Sequence, residues 1–256
     1  MEPSEIARVG ELFQEYTKYR HFLTPSLMSR GAPVPDAERP VPPSASLVEL
    51  PTVPKALPGV TRSLFDLLRG RRSRREYDAK SLALKELAAL LWSVQGVVES
   101  GRGYTLRTSP SAGARHPLET YVMINRVADL APGLYRYSPS AHRLVGTGDD
   151  GAVAGRMAAA GLGQAMLRTC AAAFIWTAVI ERGRWKYQQR AYRYIYLDAG
   201  HACQNLYLAC EELGLGCCAV AAFDDDAVDK ILGVDGREEF VVYMATVGHA
   251  RAGSVV

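Results

Sequence analysis

The sequence predicts an α+β layered fold. Helical and strand-like segments are interleaved without a regular βαβ rhythm, and no G-x-G-x-x-G follows a strand to open a dinucleotide-binding sheet. One apolar run, Ala171 to Ile180, has the length and composition of a strand buried on both faces, so layers must cover it. With 256 residues, 48% hydrophobic and 22% charged, the chain can form a large core without staples, and collagen, coiled coil and disorder are excluded.

The elements follow in order. Ile6, Val9, Leu12, Phe13 and Tyr16 recur at helical spacing. Eight of the fourteen prolines then lie between Pro33 and Pro58, in a stretch without helical or alternating period, which reads as an extended linker or belt wrapping a partner subunit. The expected division is therefore an N-terminal helix and proline-rich extension, 1–60, followed by the main body, 61–256. From Leu82 to Val94 apolar residues recur every three or four positions and Gly96 stops the pattern, predicting an amphipathic helix. Leu118 to Ile124 and Gly133 to Tyr137 read as strands around the Pro132-Gly133 turn. A Gly- and Ala-rich helical stretch, Asp150 to Arg168, leads into the buried strand. Leu197 to Leu213 reads as a small-residue helix ended by Gly214. Strands at Gly216 to Ala222 and Glu239 to Val247, with a helix from Asp225 to Leu232 between them, complete the body.

Composition narrows the function classes. A net charge of +3 is too mild to announce nucleic acid. The five cysteines are odd in number, include the adjacent pair Cys217-Cys218 and form no C-x-x-C, so neither a disulfide framework nor a zinc site is supported; they read as small core residues in a reducing cytoplasm. No secretory leader is visible, and the longest apolar run is far below the roughly 20 residues of a membrane span.

Four segments carry candidate chemistry. RGRRSRREY places Arg69, Arg71, Arg72, Arg74 and Arg75 together. Its plain reading is a solvated basic patch or nucleic-acid contact; in an extended chain, however, Arg71, Ser73 and Arg75 share one side and offer two guanidinium forks and a hydroxyl to a phosphate, with Arg72 and Arg74 facing the other way. SPSAGARHPLETYV opens with a loop of small residues, Ser109, Pro110, Ser111, Ala112 and Gly113, which is either a simple turn or a surface that lets backbone amides approach a planar ligand. ERGRWKYQQRAYRY interleaves Trp185, Lys186, Tyr187, Tyr192 and Tyr194 with arginines, a composition that suits stacking on single-stranded nucleic acid or a lid over an aromatic cofactor. GLGCCAVAAFDDD is an interior strand followed by an acidic helix start, or a strand whose Ala221-Ala222 main chain meets a ring edge.

In this order and at these separations, these segments, with DAGHACQNLYLA, resemble the FMN-dependent nitroreductase superfamily over about Ser63 to Gly248. The likeness is greatest to its SagB-type branch, the thiazole/oxazole (azoline) dehydrogenases. The resemblance implies a nitroreductase-like α+β fold with a central, mostly antiparallel mixed sheet flanked by helices, and a homodimer holding FMN at its interface. It also implies phosphate and ribityl contacts from Arg71 and Ser73 within the cluster that includes Arg72, and a basic group near the flavin pyrimidine from Arg75. Ser109, Pro110, Ser111, Ala112 and Gly113 would lie along the isoalloxazine, Ala221 and Ala222 would turn main-chain N–H groups toward its N5, and Arg251 would be a C-terminal phosphate contact. Lys186-Tyr187 matches the adjacent Lys-Tyr pair of azoline dehydrogenases. Aromatising an azoline removes a proton from one ring atom and a hydride from its neighbour, so a base is needed, and either residue can fill that role. Asp198 and His201 read as packing or interface residues.

The expected activity is dehydrogenation of a heterocycle, azoline to azole, or of a similar bond in a peptide-derived or small-molecule substrate, by hydride transfer to FMN. The alternatives are an NAD(P)H-dependent nitroreductase or quinone reductase, a non-catalytic flavin-binding subunit, and a nucleic-acid binder.

Overall fold

The computed structural model describes residues 6–53, 62–101, 104–148 and 152–251. Helix α1, Val9–Tyr16, is followed by two short 3-10 turns and strand β1, Leu47–Glu49. Helix α2, Leu64–Gly70, is capped by Ser63, whose Oγ accepts from Asp66 N at 3.2 Å. Helix α3, Leu84–Gln95, starts where Glu86 reaches back to Ala83 N at 2.7 Å. A hairpin, β2 Val97–Gly101 and β3 Tyr104–Arg107, comes next, then β4 Leu118–Ile124, β5 Gly133–Ser138 and β6 Arg143–Gly146. Helices α4, Val153–Ala160, and α5, Met166–Thr169, precede β7, Ala172–Val179. Then come α6 Ile180–Tyr187, α7 Ala191–Glu212, β8 Gly216–Val220, α8 Asp225–Leu232 and β9 Glu239–Gly248.

Seven strands form one sheet in the order β1-β6-β5-β4-β7-β9-β8, each pair antiparallel. Parallel pairing enters through an isolated bridge, Ser73 to Cys217 at the β8 edge. The two-residue period of β7 sends Phe174, Trp176 and Ala178 to one side and Ala173 and Ile175 to the other. The first set packs with Leu87, Leu90, Leu91 and Val94 of α3 and with Ala199, Ala202 and Leu206 of α7. The second packs with Val153 and Met157 of α4, Leu167 of α5, and Val228 and Leu232 of α8. The result is three layers, with β7 buried centrally and β1 and β8 at the rims.

The α+β class, the mostly antiparallel sheet and its flanking helices match the expectation. The Gly/Ala-rich stretch expected as one helix from Asp150 is two: Gly161 and Gly163, with Leu162 at φ +55°, break it after Ala160, and its first two residues lie outside the described ones. The small-residue helix begins at Ala191, six residues before the expected start, because Tyr192 and Ile195 supply an inward face that the surrounding charges obscure. Strands β1, β2, β3 and β6 and helices α2 and α6 were not anticipated; each is short, exposed or mostly polar and shows little period. The boundary expected at residues 60 and 61 lies outside the described residues. Among the described residues no helix is long and apolar enough to cross a membrane, and all five cysteines are free and buried.

His116 enters β4 in a left-handed conformation, φ +45°. Its ring is buried and its Nε2 lies 2.8 Å from Thr105 O, so the neutral Nε2–H form is the one that fits. Burial, reinforced by the nearby Arg107 guanidinium, pushes its pKa down to about 4. Between that value and the ordinary 6.5 the unfolded chain takes up a proton that the folded chain refuses, so stability is complete above about pH 6.5 and falls as the pH drops toward 4. Urea unfolding at pH 4.5 and 7 should show this site contributing up to about 3 kcal/mol of the difference. His116→Gln should flatten that slope; an unchanged slope would exclude His116 as its source.

Candidate functional site

Helix α7 organises the site. Asp198 and Asn205, seven residues apart, lie on the same side of the helix, and both hold the 109–113 loop. Ser111 Oγ donates to Asp198 Oδ2 at 2.6 Å and accepts from His116 N at 3.0 Å, while Ala112 N donates to Asp198 Oδ1 at 3.3 Å. Burial raises the Asp198 pKa, and the bonds from Ser111 and Ala112 oppose that rise by stabilising the carboxylate. Asn205 Nδ2 donates to Ser109 Oγ at 3.0 Å, Ser93 O at 3.0 Å and Thr108 O at 3.3 Å, joining loop, helix α3 and helix α7. The loop is pinned at both ends while Pro110 and Gly113 stay exposed.

Gly113 has φ +59°, a left-handed conformation that glycine adopts without strain. A Cβ at this position would lie 2.4 Å from Tyr187 Oη and 2.9 Å from Lys186 Nζ. Two segments far apart in sequence therefore meet here: the small-residue loop and the Lys186-Tyr187 pair at the end of α6. Lys186 Nζ lies 5.4 Å from the Tyr187 ring centroid, within cation–π range. Behind the pair, Tyr194 meets Tyr187 edge to face with ring centroids 4.9 Å apart.

The arginine segment leaves helix α2 after Gly70 and is non-helical from Arg71, the condition under which Arg71 and Ser73 share a side. Ser73 bridges Cys217, and Arg74 N donates to Cys217 O at 2.9 Å. Arg71 and Ser73 both turn to Tyr207: the guanidinium stands 5.1 Å over the ring, and Ser73 Oγ is 2.9 Å from Tyr207 Oη. Arg74 instead packs against Gly216. Tyr207 Oη also accepts from Ala219 N at 2.8 Å, so one phenol ties the arginine segment to β8. Arg72 folds back on its own chain, with Nη1 donating to Arg69 O and Arg71 O at 2.8 Å each. Arg75 is exposed, its Nη1 3.5 Å from Ser73 O. Arg251 lies beside this segment, its N donating to Glu76 O at 3.0 Å. Ala221 and Ala222 follow β8 at the surface, with Ala222 O accepting from Gln164 Nε2 at 2.7 Å.

The structure thus makes two groupings. One joins Ser109 to Gly113 with Lys186 and Tyr187; the other joins Arg71 and Ser73 with Tyr207 and the strand leading to Ala221. By helical geometry the exposed Leu197, Gly200, His201 and Gln204 lie on α7 between Asp198 and Asn205 on one side and Tyr207 on the other. Sequence reasoning took Asp198 for a packing or interface residue and passed over Asn205 and Tyr207. The signal for the first two was the seven-residue spacing of polar groups on a helix of small and apolar residues; Tyr207, one tyrosine among many, carried none.

A sequence profile of the nitroreductase family matches residues 68–249. A Methanocaldococcus jannaschii protein described as a nitroreductase is 37% identical over 185 residues, 72% of this chain and 90% of that one. The trifolitoxin-processing protein TfxB of Rhizobium leguminosarum bv. trifolii is 32% identical over 130 residues, 49% of this chain and 35% of TfxB. Among solved structures, an Anabaena variabilis chain described as a nitroreductase superposes with a TM-score of 0.68 at 30% identity, over 82% of this chain and 42% of that one. This chain therefore spans about two fifths of that protein. The Escherichia coli microcin synthetase McbBCD complex, with truncated pro-MccB17 bound, contains a chain of the same fold at TM-score 0.62 and 19% identity, over 98% of this chain and 95% of that one. With the profile covering most of the sequence and the fold in agreement, the chain belongs to the nitroreductase family of oxidoreductases.

Proposed function

We propose that this protein is an FMN-dependent dehydrogenase that converts an azoline, or a similar saturated C–N or C–C bond in a peptide-derived or small-molecule substrate, to its oxidised form. The observation that carries the reading is the packing of Lys186 and Tyr187 against Gly113, which sets a base pair beside a loop stripped of side-chain bulk. Supporting it, one relative is named for trifolitoxin processing, and a fold neighbour was solved as part of a microcin synthetase with a truncated pro-microcin bound.

The residues present fit FMN. Arg71 and Ser73, side by side on Tyr207, supply a charged fork and a hydroxyl suited to a phosphate, and Arg75, Arg72 and Arg251 add positive charge around them. Ser109 to Gly113 offer a surface of small residues for a planar ring. Ala221 and Ala222, exposed after β8, place little bulk between main-chain N–H groups and a ring edge. FMN, when bound, supplies a two-electron acceptor for hydride. This chain's own residues do the rest: the loop, held by Asp198 and Asn205, orients the reacting face, and Lys186 or Tyr187 takes the proton from the substrate carbon. The exposed Tyr196, Leu197 and Gly200 on α7 suit pairing with a second copy, and five free thiols suit a reducing cytoplasm.

A second reading, reduction of nitroaromatics or quinones with NAD(P)H, is favoured by the Methanocaldococcus relative described as a nitroreductase.

Three outcomes are expected. Purified protein should show flavin absorption that persists on anaerobic addition of NADPH or NADH and bleaches with an azoline substrate; prompt bleaching by the nicotinamides would establish the reductase reading instead. Lys186→Ala with Tyr187→Phe should leave the protein yellow while steady-state turnover drops about 10²- to 10⁴-fold, the usual contribution of a positioned base; undiminished turnover would remove the pair from the chemistry. Arg71→Ala with Ser73→Ala should release flavin, since each charge-assisted bond to a phosphate is worth about 1.5–3 kcal/mol. Unchanged flavin stoichiometry would move the phosphate site elsewhere.

A further inference from the structure

We infer that residues 14–36 form a brace that sets the position of Lys186 and Tyr187; the inference rests on the role proposed for that pair. Five side chains from the 182–193 stretch each donate to a main-chain carbonyl of the N-terminal segment. Arg182 Nε reaches Asp36 O at 2.7 Å, Trp185 Nε1 reaches Ala32 O at 3.0 Å, and Gln188 Nε2 reaches Thr24 O at 2.7 Å. Arg190 Nη1 reaches Thr17 O at 2.5 Å, and Arg193 Nη2 reaches Gln14 O at 3.1 Å. The donors ascend in the sequence as the acceptors descend, so the segment lies antiparallel along the stretch that carries the pair. Lys186 and Tyr187 belong to this stretch but are not among the five donors; they lie against Gly113.

Two further features point the same way. Gln188, immediately after Tyr187, has φ +51° and ψ −138°, a conformation that non-glycine residues keep only where their surroundings enforce it. Its side chain is one of the five donors, so the brace holds the strained residue directly. Tyr194, edge to face with Tyr187, is bonded to Tyr19 Oη at 2.8 Å and to Arg190 Nε at 2.8 Å, a second path from the N-terminal segment to the ring. The pair thus lies against a loop pinned by α7, on a stretch that the brace holds at residues before and after it. The five acceptors are carbonyls, so the path of the N-terminal main chain sets the brace, and side chains reinforce it at one end: Arg193 also donates to Thr17 Oγ1 from Nε at 3.1 Å and to Gln14 Oε1 at 2.7 Å. Arg182, Trp185, Gln188, Arg190 and Arg193 are positioning residues.

The test uses the protein with its flavin bound and the variant Trp185→Phe/Arg193→Met, which removes donors on both sides of the pair and leaves Lys186, Tyr187 and Gln188 intact. Hydrogen exchange is read at the amides of α6 and of β7 and β9. Exchange in α6 should quicken by about five- to thirtyfold, the effect of losing one or two net hydrogen bonds, with β7, β9 and flavin stoichiometry unchanged. With an azoline substrate, kcat should fall while KM stays within about twofold, the pattern of a misplaced base rather than a lost binding contact. Thr24→Ala, which keeps its carbonyl, should change neither readout. Unchanged exchange in α6, or a rise shared equally by β7 and β9, would overturn the brace. If the unaltered enzyme oxidises no azoline, the proposed function fails, while the exchange result still decides whether the brace exists.

Discussion

The Glu119 carboxylate, buried at the start of β4, is the contact on which the rest of the structure depends. One oxygen accepts from Arg182 Nη2 at 2.6 Å and from Arg39 N at 2.9 Å; the other accepts from Arg136 Nη1 at 3.2 Å. Both guanidiniums are almost wholly buried. A buried charge set of this kind adds little net stability, because desolvation offsets most of the attraction, but removing one member leaves the others uncompensated at a cost of about 3–5 kcal/mol. Its effect is therefore to specify an arrangement. Arg182 brings α6, Arg136 brings β5, and Arg39 brings the N-terminal segment, so three parts distant in sequence are held at one point of the central sheet. Neighbouring Glu239 extends the knot, pairing with Arg39 and accepting from Thr177 Oγ1 at 2.5 Å; burial raises its pKa.

From that point outward the site is assembled by two helices with different tasks. Helix α7, 22 residues long, is rigid by length and packing, and its small residues let α3 and the sheet approach closely. It fixes loop 109–113 through Asp198 and Asn205 and the arginine segment through Tyr207. Helix α6 is short, ends in the strained Gln188 and is mostly polar, so its position comes from its neighbours. Arg182 ties it at once to Glu119, to His116 O at 3.4 Å and to Asp36 O. The 109–113 loop and the Lys186-Tyr187 pair that faces it are thus placed independently, each by a buried polar contact to the core: Asp198 for the loop, Arg182 for α6. That arrangement favours preorganisation over adaptability.

The proline-rich segment belongs to the same logic. Prolines keep its main chain extended and deprive it of N–H donors, while its carbonyls remain available, and carbonyls are what Arg107, Arg136, Arg182 and Trp185 take from Ala37, Pro40, Asp36 and Ala32. Composition revealed an extended path. It did not reveal that the path runs over this chain's own sheet and helix α6, or that Leu47–Glu49 pairs with β6 to extend the sheet.

Much of the fold was legible because burial imposes period. The continuous apolar run of β7, the three-four spacing in α3 and the acidic start of α8 are local patterns that a core and a helix end select residue by residue, and the corresponding elements lie within a few residues of where the pattern puts them. Short strands such as β2 and β6 escaped because a few half-exposed residues carry no period. In the site, the arginine alternation was legible for the same local reason, and Arg71 and Ser73 do share a side. What only the tertiary structure decided is which segments meet: Gly113 with Lys186 and Tyr187, Ser73 with Tyr207, Asp198 with Ser111, and residues 14–36 with α6. Those contacts join residues scores of positions apart, and their partners are chosen by three-dimensional geometry and desolvation rather than by any spacing along the chain.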